Sequence, residues 1–253
     1  MICLKLYSLR LYTILSTFFE EFFLLKKKIN SNFINVGYEK SKLKNCLLKN
    51  DIFEKTLEEN KYFHRKIIKK ELIDYLVSFV FLKNDILNYI KNVTGYNYSI
   101  DFILAYTTLN IEKENETKPI YANHWHRDKP FSKNTIKLIL PIETINENSG
   151  PMEILSINQS KAYNDQNIGS FDIIEGAYKL IGTPEYYFIF QPNICYHRAG
   201  NPAKGLVRSQ IMMQLNPSKK WEYSKKLYEK QYKLEPKFPL INFFEKKHKL
   251  NLL

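Results

Sequence analysis

Residues 121–135 of this 253-residue chain read Tyr-Ala-Asn-His-Trp-His-Arg-Asp-Lys-Pro-Phe-Ser-Lys-Asn-Thr. They hold His124 and His126, two of the chain's five histidines, with Asp128 two residues beyond His126. A third, His197, lies downstream beside the turn Ala199-Gly200-Asn201-Pro202. Residues i and i+2 of a strand project from one face. On a strand His126 and Asp128 therefore reach one point while Trp125 and Arg127 turn away. A neutral imidazole, a carboxylate and a second imidazole from another strand cover one face of an octahedral Fe(II) ion and leave the opposite face open. His124 shares the face of His126. Facial geometry needs the carboxylate as the near neighbour of its histidine, which favours His126 and leaves His124 beside the metal or on the substrate side.

A lone His-x-Asp pattern arises by chance in many chains, so the surroundings decide. Arg208 follows His197 by eleven residues, across the turn and inside the apolar run 206–215. Two antiparallel strands joined at that turn would return Arg208 to the histidines. Its guanidinium matches a carboxylate with two parallel hydrogen bonds and keeps its charge when partly buried. A 2-oxo acid chelating the metal would present its far carboxylate there. Val207, Ser209, Ile211, Met213 and Leu215 face the other way and read as core. The competing reading of Arg208 is a structural salt bridge.

The elements that must position these groups change character at Gly95. Before it, residues 71–93 keep an apolar face through Leu72, Tyr75, Leu76, Phe79, Val80, Leu87 and Ile90, which predicts a helix stopped by Gly95. Residues 26–70 are polar and lysine-rich without a clear period. Near the N-terminus, Leu11, Ile14, Leu15, Phe18, Phe22 and Leu25 repeat at helical spacing, and the expectation is a helix that packs this stripe on the core. After Gly95, short β-rich runs at 99–109, 122–127, 135–142, 152–155, 186–190 and 206–215 alternate with Gly, Pro and Asn turns. Residues 221–233 form a candidate amphipathic helix. The fold class that follows is mixed α+β: a double-sheet β core of the jelly-roll, cupin-like kind with flanking helices. The boundaries read as an extension at 1–70 packing on the core, the β core with its leading helix at 71–216, and a basic extension at 217–253. His64 reads as a surface residue, and His248 among lysines is a poor ligand.

Composition excludes several classes. With 44% hydrophobic and 15% aromatic residues, the chain is not a disordered one. Cys3, Cys46 and Cys195 are odd in number and widely spaced, giving neither a disulfide framework nor a metal knuckle. That usage fits a reducing, cytoplasmic setting. The longest uncharged run near the N-terminus, residues 11–19, is too short to span a bilayer, and no signal-peptide cleavage pattern follows it. The formal net charge is +12, yet residues 96–216 carry 11 Lys/Arg against 12 Asp/Glu. Residues 26–70 carry 13 against 5 and residues 217–253 carry 10 against 4. The excess avoids the histidines: a basic surface could attract phosphate backbones, acidic lipids or acidic substrates, but lysines lining solvated helix faces are the simpler account, so the expected partner is a small-molecule substrate and not nucleic acid, with the oligomeric state open.

His-Trp-His-Arg-Asp, then a strand, then the run Glu147-Asn148-Ser149-Gly150-Pro151-Met152-Glu153-Ile154-Leu155, then Gly182, Tyr187-Phe188-Ile189-Phe190, His197 and Arg208, together resemble the phytanoyl-CoA dioxygenase family over about residues 70–216. That family belongs to the Fe(II)- and 2-oxoglutarate-dependent oxygenases. The resemblance implies a double-stranded β-helix, iron ligands at His126, Asp128 and His197, and 2-oxoglutarate held by Arg208, with O2 as the other co-substrate. By alternation Gln210 would assist Arg208, and Tyr106 or Thr108 on the first core strand would reach the other end of 2-oxoglutarate. Two departures stand out. Family members commonly continue Pro-Gly-Ser-His where this chain has Ser156-Ile157-Asn158-Gln159-Ser160. The aromatic usual on the strand after His-x-Asp is replaced within Lys137-Leu138-Ile139-Leu140. Retention of Asp128 argues against the halogenating branch, where a small residue frees a place for halide. The expected activity is hydroxylation of an unactivated C–H on a small lipid, sugar or amino-acid type of substrate. The alternative is a cupin-like metal-binding module, a sensor or isomerase, which gives Arg208 no role.

Overall fold

The computed structural model describes residues 2–24, 29–45, 52–128, 132–165, 169–229, 231 and 247–250. The N-terminal part supplies helices α1 (Ile2–Phe23) and α2 (Asn32–Val36), strand β1 (Tyr38–Lys42), the hairpin β2 (Phe53–Asn60) and β3 (Phe63–Ile68), and helices α3 (Ile73–Ser78) and α4 (Ile86–Thr94). Then come β4 (Asn97–Leu109), β5 (Ile136–Pro141), β6 (Glu153–Ile154), helix α5 (Ile157–Asp165), β7 (Tyr178–Lys179), β8 (Tyr186–Phe190), β9 (His197–Arg198), β10 (Val207–Ser218), β11 (Glu222–Ser224) and β12 (Lys247–Lys249).

Among the described residues a large sheet runs in the order β1-β8-β5-β10-β4-β11-β12, with β3 also on β4 and β2 on β3, and a small sheet runs β7-β6-β9. From β5 onward the chain winds between the two: β5 large, β6 and β7 small, β8 large, β9 small, β10 large. That winding is the double-stranded β-helix. Its central strands read apolar on both parities because both faces are covered. Ile139, Phe188, Phe190 and Met212 point inward to Met152, Ile154 and Leu180. Leu138, Leu140, Ile189, Ile211 and Met213 point outward to Ile73, Leu76, Val80, Ile86 and Ile90 of the helical layer. Each such side chain contributes about 1.5–3 kcal/mol by leaving water.

Several expectations differ from the structure. The helix expected at 71–93 is interrupted: α3 runs into a π turn at Phe79–Lys83, and α4 begins only after Asp85, whose φ of 57° breaks the backbone path. Gly95 does stop α4, with φ 83° and its N–H donating to the Lys91 carbonyl. Residues 122–127 form no strand, because Tyr121 and Ala122 hold positive φ and His126 makes only an isolated bridge to His197. His197 and Arg208 are not on paired strands either. β9 joins the small sheet and β10 the large one, so the turn between them crosses from sheet to sheet. The stretch 26–70 contributes β1, paired with β8, and the β2–β3 hairpin, paired with β4. In place of a helix at 221–233, β11 lies parallel to β4 and leads into a 3-10 turn at Lys225–Tyr228. The end of that stretch, at 230 and 232–233, lies outside the described residues.

The largest reversal concerns α1. Leu11, Ile14, Leu15, Phe18 and Phe22 are exposed, while Ser16, Thr17 and Glu20 on the other side are buried. Leu25 lies outside the described residues. The polar face docks because the turn after residue 131 has groups to satisfy. The Lys133 backbone N–H donates to Thr17 Oγ1 at 3.1 Å and Asn134 Nδ2 donates to Glu20 Oε2 at 3.3 Å.

Candidate metal centre

His126 and His197 face each other through a two-way backbone bridge, His126 N to His197 O at 3.1 Å and His197 N to His126 O at 3.0 Å. The Asp128 N–H donates to the Pro192 carbonyl at 2.9 Å, which ties the carboxylate to the loop before β9. The local frame is thus a bridged loop in place of the expected strand, and the side chains converge all the same. His126, Asp128 and His197 each offer a ligand atom within 4.8 Å of the others. Trp125 and Arg127 do turn away: Trp125 Nε1 donates to the Asp172 carbonyl, and Arg127 lies over the Tyr196 ring.

The ring orientation is set from behind. His126 Nδ1 is 2.8 Å from the His124 carbonyl and His197 Nδ1 is 3.1 Å from the Cys195 carbonyl. A carbonyl only accepts, so both Nδ1 atoms carry a proton, and in the neutral ring Nε2 is the atom that presents a lone pair. Asp128 Oδ1 sits 3.6 Å from His126 Nε2 and 3.5 Å from His197 Nε2. His197 Nε2 is buried without a well-formed hydrogen bond. Two imidazole lone pairs and one carboxylate oxygen, converging where no donor fills the centre, fit a divalent cation.

Charge supports that fit. Burial pulls the His126 imidazole down to about 4, helped by His197, so it is the neutral, ligating form at ordinary pH. Burial alone would raise the Asp128 carboxyl, but Lys137 and His197 outweigh it and hold the group well below the usual carboxylate range. Lys137, the first charged residue of β5, makes an ion pair with Asp128 Oδ2, leaving Oδ1 toward the histidines. This contact is a residue role that the sequence reading missed. Its signal was a single lysine in the otherwise apolar run 136–142. His124 is outside the cluster, with its ring 5.2 Å from His126 and 6.1 Å from Phe171 and a buried Nδ1 lacking a partner.

Arg208 is fully buried. Its Nη1 donates to the Gly150 carbonyl at 2.5 Å, and its Nε and Nη2 have no partner. Burial lowers its affinity for the proton, opposed by Tyr106 and Tyr121. No carboxylate neutralises it among the described residues, so the salt-bridge reading has no support. Gly150 holds the anchoring carbonyl at φ 66°, and a Cβ there would come within 2.3 Å of Pro202 N. Only glycine fits that crossing.

On the same inward face of the large sheet, Gln210 lies opposite Tyr106 and Arg208 opposite Thr108. Gln210 Nε2 donates to Tyr106 Oη at 2.5 Å, and Thr108 Oγ1 donates to the Arg208 carbonyl at 3.5 Å. A cavity of about 370 Å³ opens on His126, His197 and Lys137, with Leu104, Met152 and Met212 among its apolar walls. Phe63 and Asn60 from the β2–β3 hairpin close one side, and Phe63 stacks on Tyr106 at 5.1 Å. Sequence reading missed these two residues as well. Arg208 is not itself among the lining residues, whereas its neighbours Tyr106 and Tyr121 are. The departing segment after Leu155 becomes α5, and Ser160 Oγ accepts from Tyr196 N at 2.9 Å.

No protein-family model matches the chain, and no curated protein does. Solved structures do. The epimerase SnoN in complex with Fe3+, alpha ketoglutarate and nogalamycin RO is 12% identical, covering 74% of this chain and 81% of its own, with a TM-score of 0.50. The non-heme alpha ketoglutarate dependent epimerase SnoN from nogalamycin biosynthesis is 11% identical, covering 74% and 78%, also at 0.50. EvdMO1 aligns at 11% identity and a TM-score of 0.43 over 73% of this chain, which spans only 48% of EvdMO1. At these identities the likeness to SnoN is one of fold, the jelly-roll core derived above.

Proposed function

We propose that this chain is an Fe(II)- and 2-oxoglutarate-dependent dioxygenase that hydroxylates an unactivated C–H of a small organic substrate, of lipid, sugar or amino-acid type. The observation that carries the reading is the pairing of two sites. Three ligand atoms converge within 4.8 Å of one another, and a fully buried guanidinium eleven residues after His197 has no carboxylate partner among the described residues. Buried charges are ordinarily paired, and 2-oxoglutarate with iron completes both at once. SnoN, a described alpha ketoglutarate dependent enzyme of the same fold, supports the choice of co-substrate. The motif order supports the finer assignment to the phytanoyl-CoA dioxygenase family.

Bound together, iron, 2-oxoglutarate and O2 supply the oxidising power that takes hydrogen from an unactivated C–H while 2-oxoglutarate goes to succinate and CO2. The chain's own part is to hold and to exclude. His126, Asp128 and His197 would hold the metal, and Lys137 pairs with Asp128 Oδ2, leaving Oδ1 toward the histidines. Arg208, with Nη1 on the Gly150 carbonyl and Nε and Nη2 unpartnered, would hold a carboxylate of 2-oxoglutarate. Gln210 and Tyr106 form the polar neighbour on that face, and Thr108 backs the arginine's own strand. Leu104, Met152, Met212 and Phe63 exclude water around the C–H. The His124 carbonyl accepts from His126 Nδ1 and so fixes the orientation of that ring.

The test is CO2 release from 2-oxoglutarate, with succinate formed in equal amount, on addition of Fe(II) and air. The wild-type chain is expected to turn over, slowly if no substrate is supplied. Asp128→Ala is expected to lose turnover and to bind metal more than about 100-fold more weakly, beyond the scale seen for residues that merely support ligands. Normal turnover by that variant would end the assignment. A wild-type chain that binds iron and leaves 2-oxoglutarate untouched would be a cupin-like metal-binding module instead.

A further inference from the structure

We infer that the outward face of α1 is a docking surface for an anionic lipid membrane, with the helix lying in the interface. The face is large for a free surface: Leu11, Ile14, Leu15, Phe18, Phe22 and Phe23 are each 45–71% exposed. Their rings cluster in the open, Phe18 on Phe22 at 6.0 Å and Phe22 on Phe23 at 4.8 Å. Helices of water-soluble domains turn such a stripe to the core. Here the side of α1 turned inward is polar at Ser16, Thr17 and Glu20, with bonds from Lys133 to Thr17 and from Asn134 to Glu20, and Leu24 just past the helix joins the core. The fold therefore fixes the helix by its hydrophilic side and presents the aromatic side.

Charge selects the occupant. Lys26, Lys27 and Lys28 follow the stripe directly. At about 3.5 Å per residue they stay within roughly 18 Å of Phe23 in any conformation. Residues 2–28 hold five basic groups against Glu20 and Glu21, and Glu20 is turned inward. An apolar face flanked by a lysine cluster has the two signals that stable binding in a headgroup layer requires, buried side chains and attraction to acidic lipids. No helix among the described residues is long and apolar enough to cross a membrane, which fits a helix lying in the plane. A second copy of the chain would bury the apolar face but gain nothing from apposing two lysine clusters.

The proposal is independent of the oxygenase reading and is tested on the full chain. Co-sedimentation is measured with vesicles of phosphatidylcholine alone and of phosphatidylcholine with phosphatidylserine. Wild-type chain is expected to bind the phosphatidylserine vesicles and to be released by salt. Lys26→Gln, Lys27→Gln and Lys28→Gln together are expected to weaken binding by about 100-fold, roughly fivefold per lysine near the surface. Phe18→Ser with Phe22→Ser is expected to abolish it. Phe18 and Phe22 are exposed, and an unchanged thermal melt checks that the fold survives in both variants. No sedimentation, sedimentation indifferent to the two phenylalanines, or a dimer in solution that Phe18→Ser with Phe22→Ser converts to monomer would each overturn the proposal, the last by making the face a contact between copies.

Discussion

Burial of Arg208 carries an electrostatic cost that disfavours its charged form. The residue is fully buried, holds one hydrogen bond to Gly150, and leaves the nitrogens Nε and Nη2 without a partner. A stabilising residue would not be arranged so, whereas a receptor for a carboxylate would. Arg208→Met therefore has an unusual expected profile. The affinity for 2-oxoglutarate falls by about 100-fold or more, since charged hydrogen bonds are worth roughly 1.5–3 kcal/mol each. Metal affinity stays near wild type, and the ligand-free melting temperature does not drop, because the change removes a buried charge with little pairing. Calorimetric titration and a thermal melt check the two halves; a large loss of stability with intact 2-oxoglutarate binding would make Arg208 structural. At this scale the sequence was informative for a physical reason. His126, Asp128, His197 and Arg208 are recognised by residue type and order, which hold whether His126 lies on a strand, as expected, or in a bridged loop, as found. The contact of Lys137 with Asp128 joins β5 to a separate loop, and no local pattern encodes such a pairing.

Elements were legible where apolar residues run regularly along them, and obscure elsewhere. β4, β5, β8 and β10 were read nearly at their observed bounds because both their faces are covered by apolar side chains. β2 escaped because it is an outer strand with only Phe53 and Leu57 shielded in its run of eight residues, so its Lys and Glu give no alternation. The stripe on α1 was read correctly as helical, but periodicity tells which residues share a face and not which face meets the core. Glu20 makes the observed docking testable. Burial pushes its carboxyl up to about 8 from an ordinary 4.5, against the hydrogen bonds of Ser132 and Asn134. The folded chain then keeps a proton that the unfolded chain releases, so docking is most stable below the unfolded value and weakens as pH rises toward 8. Glu20→Gln is expected to gain about 1 kcal/mol or more over wild type near pH 8 and almost nothing near pH 4, read from denaturant melts at the two pH values. The gain is limited because the helix can undock before the whole domain unfolds. Equal effects at both pH values would mean that Glu20 is not buried as the fold has it.

Over the whole molecule, charge and chemistry are kept apart. The segment 96–216, which holds the histidines and Arg208, is almost neutral, while the basic excess lies in the flanks. The flanks are not detached from the core: β1 completes one edge of the large sheet, and the β2–β3 hairpin brings Phe63 and Asn60 to the cavity. That contribution was invisible in the sequence, since a hairpin tip over a cavity is specified by sheet pairing and not by composition. The jelly-roll core was legible because turn residues punctuate it at regular intervals. The central claim joins two sites, a metal at His126, Asp128 and His197 and a 2-oxo acid bound to that metal and held by Arg208. Anaerobic visible spectroscopy tests that claim most directly, because a charge-transfer band requires iron and 2-oxoglutarate to be bound to each other. The account predicts a weak band when both are added to the wild-type chain, and at the same 2-oxoglutarate concentration a much smaller one for Arg208→Met. Iron binding without a band at saturating 2-oxoglutarate, or a band that Arg208→Met leaves unchanged in both intensity and 2-oxoglutarate dependence, would contradict it.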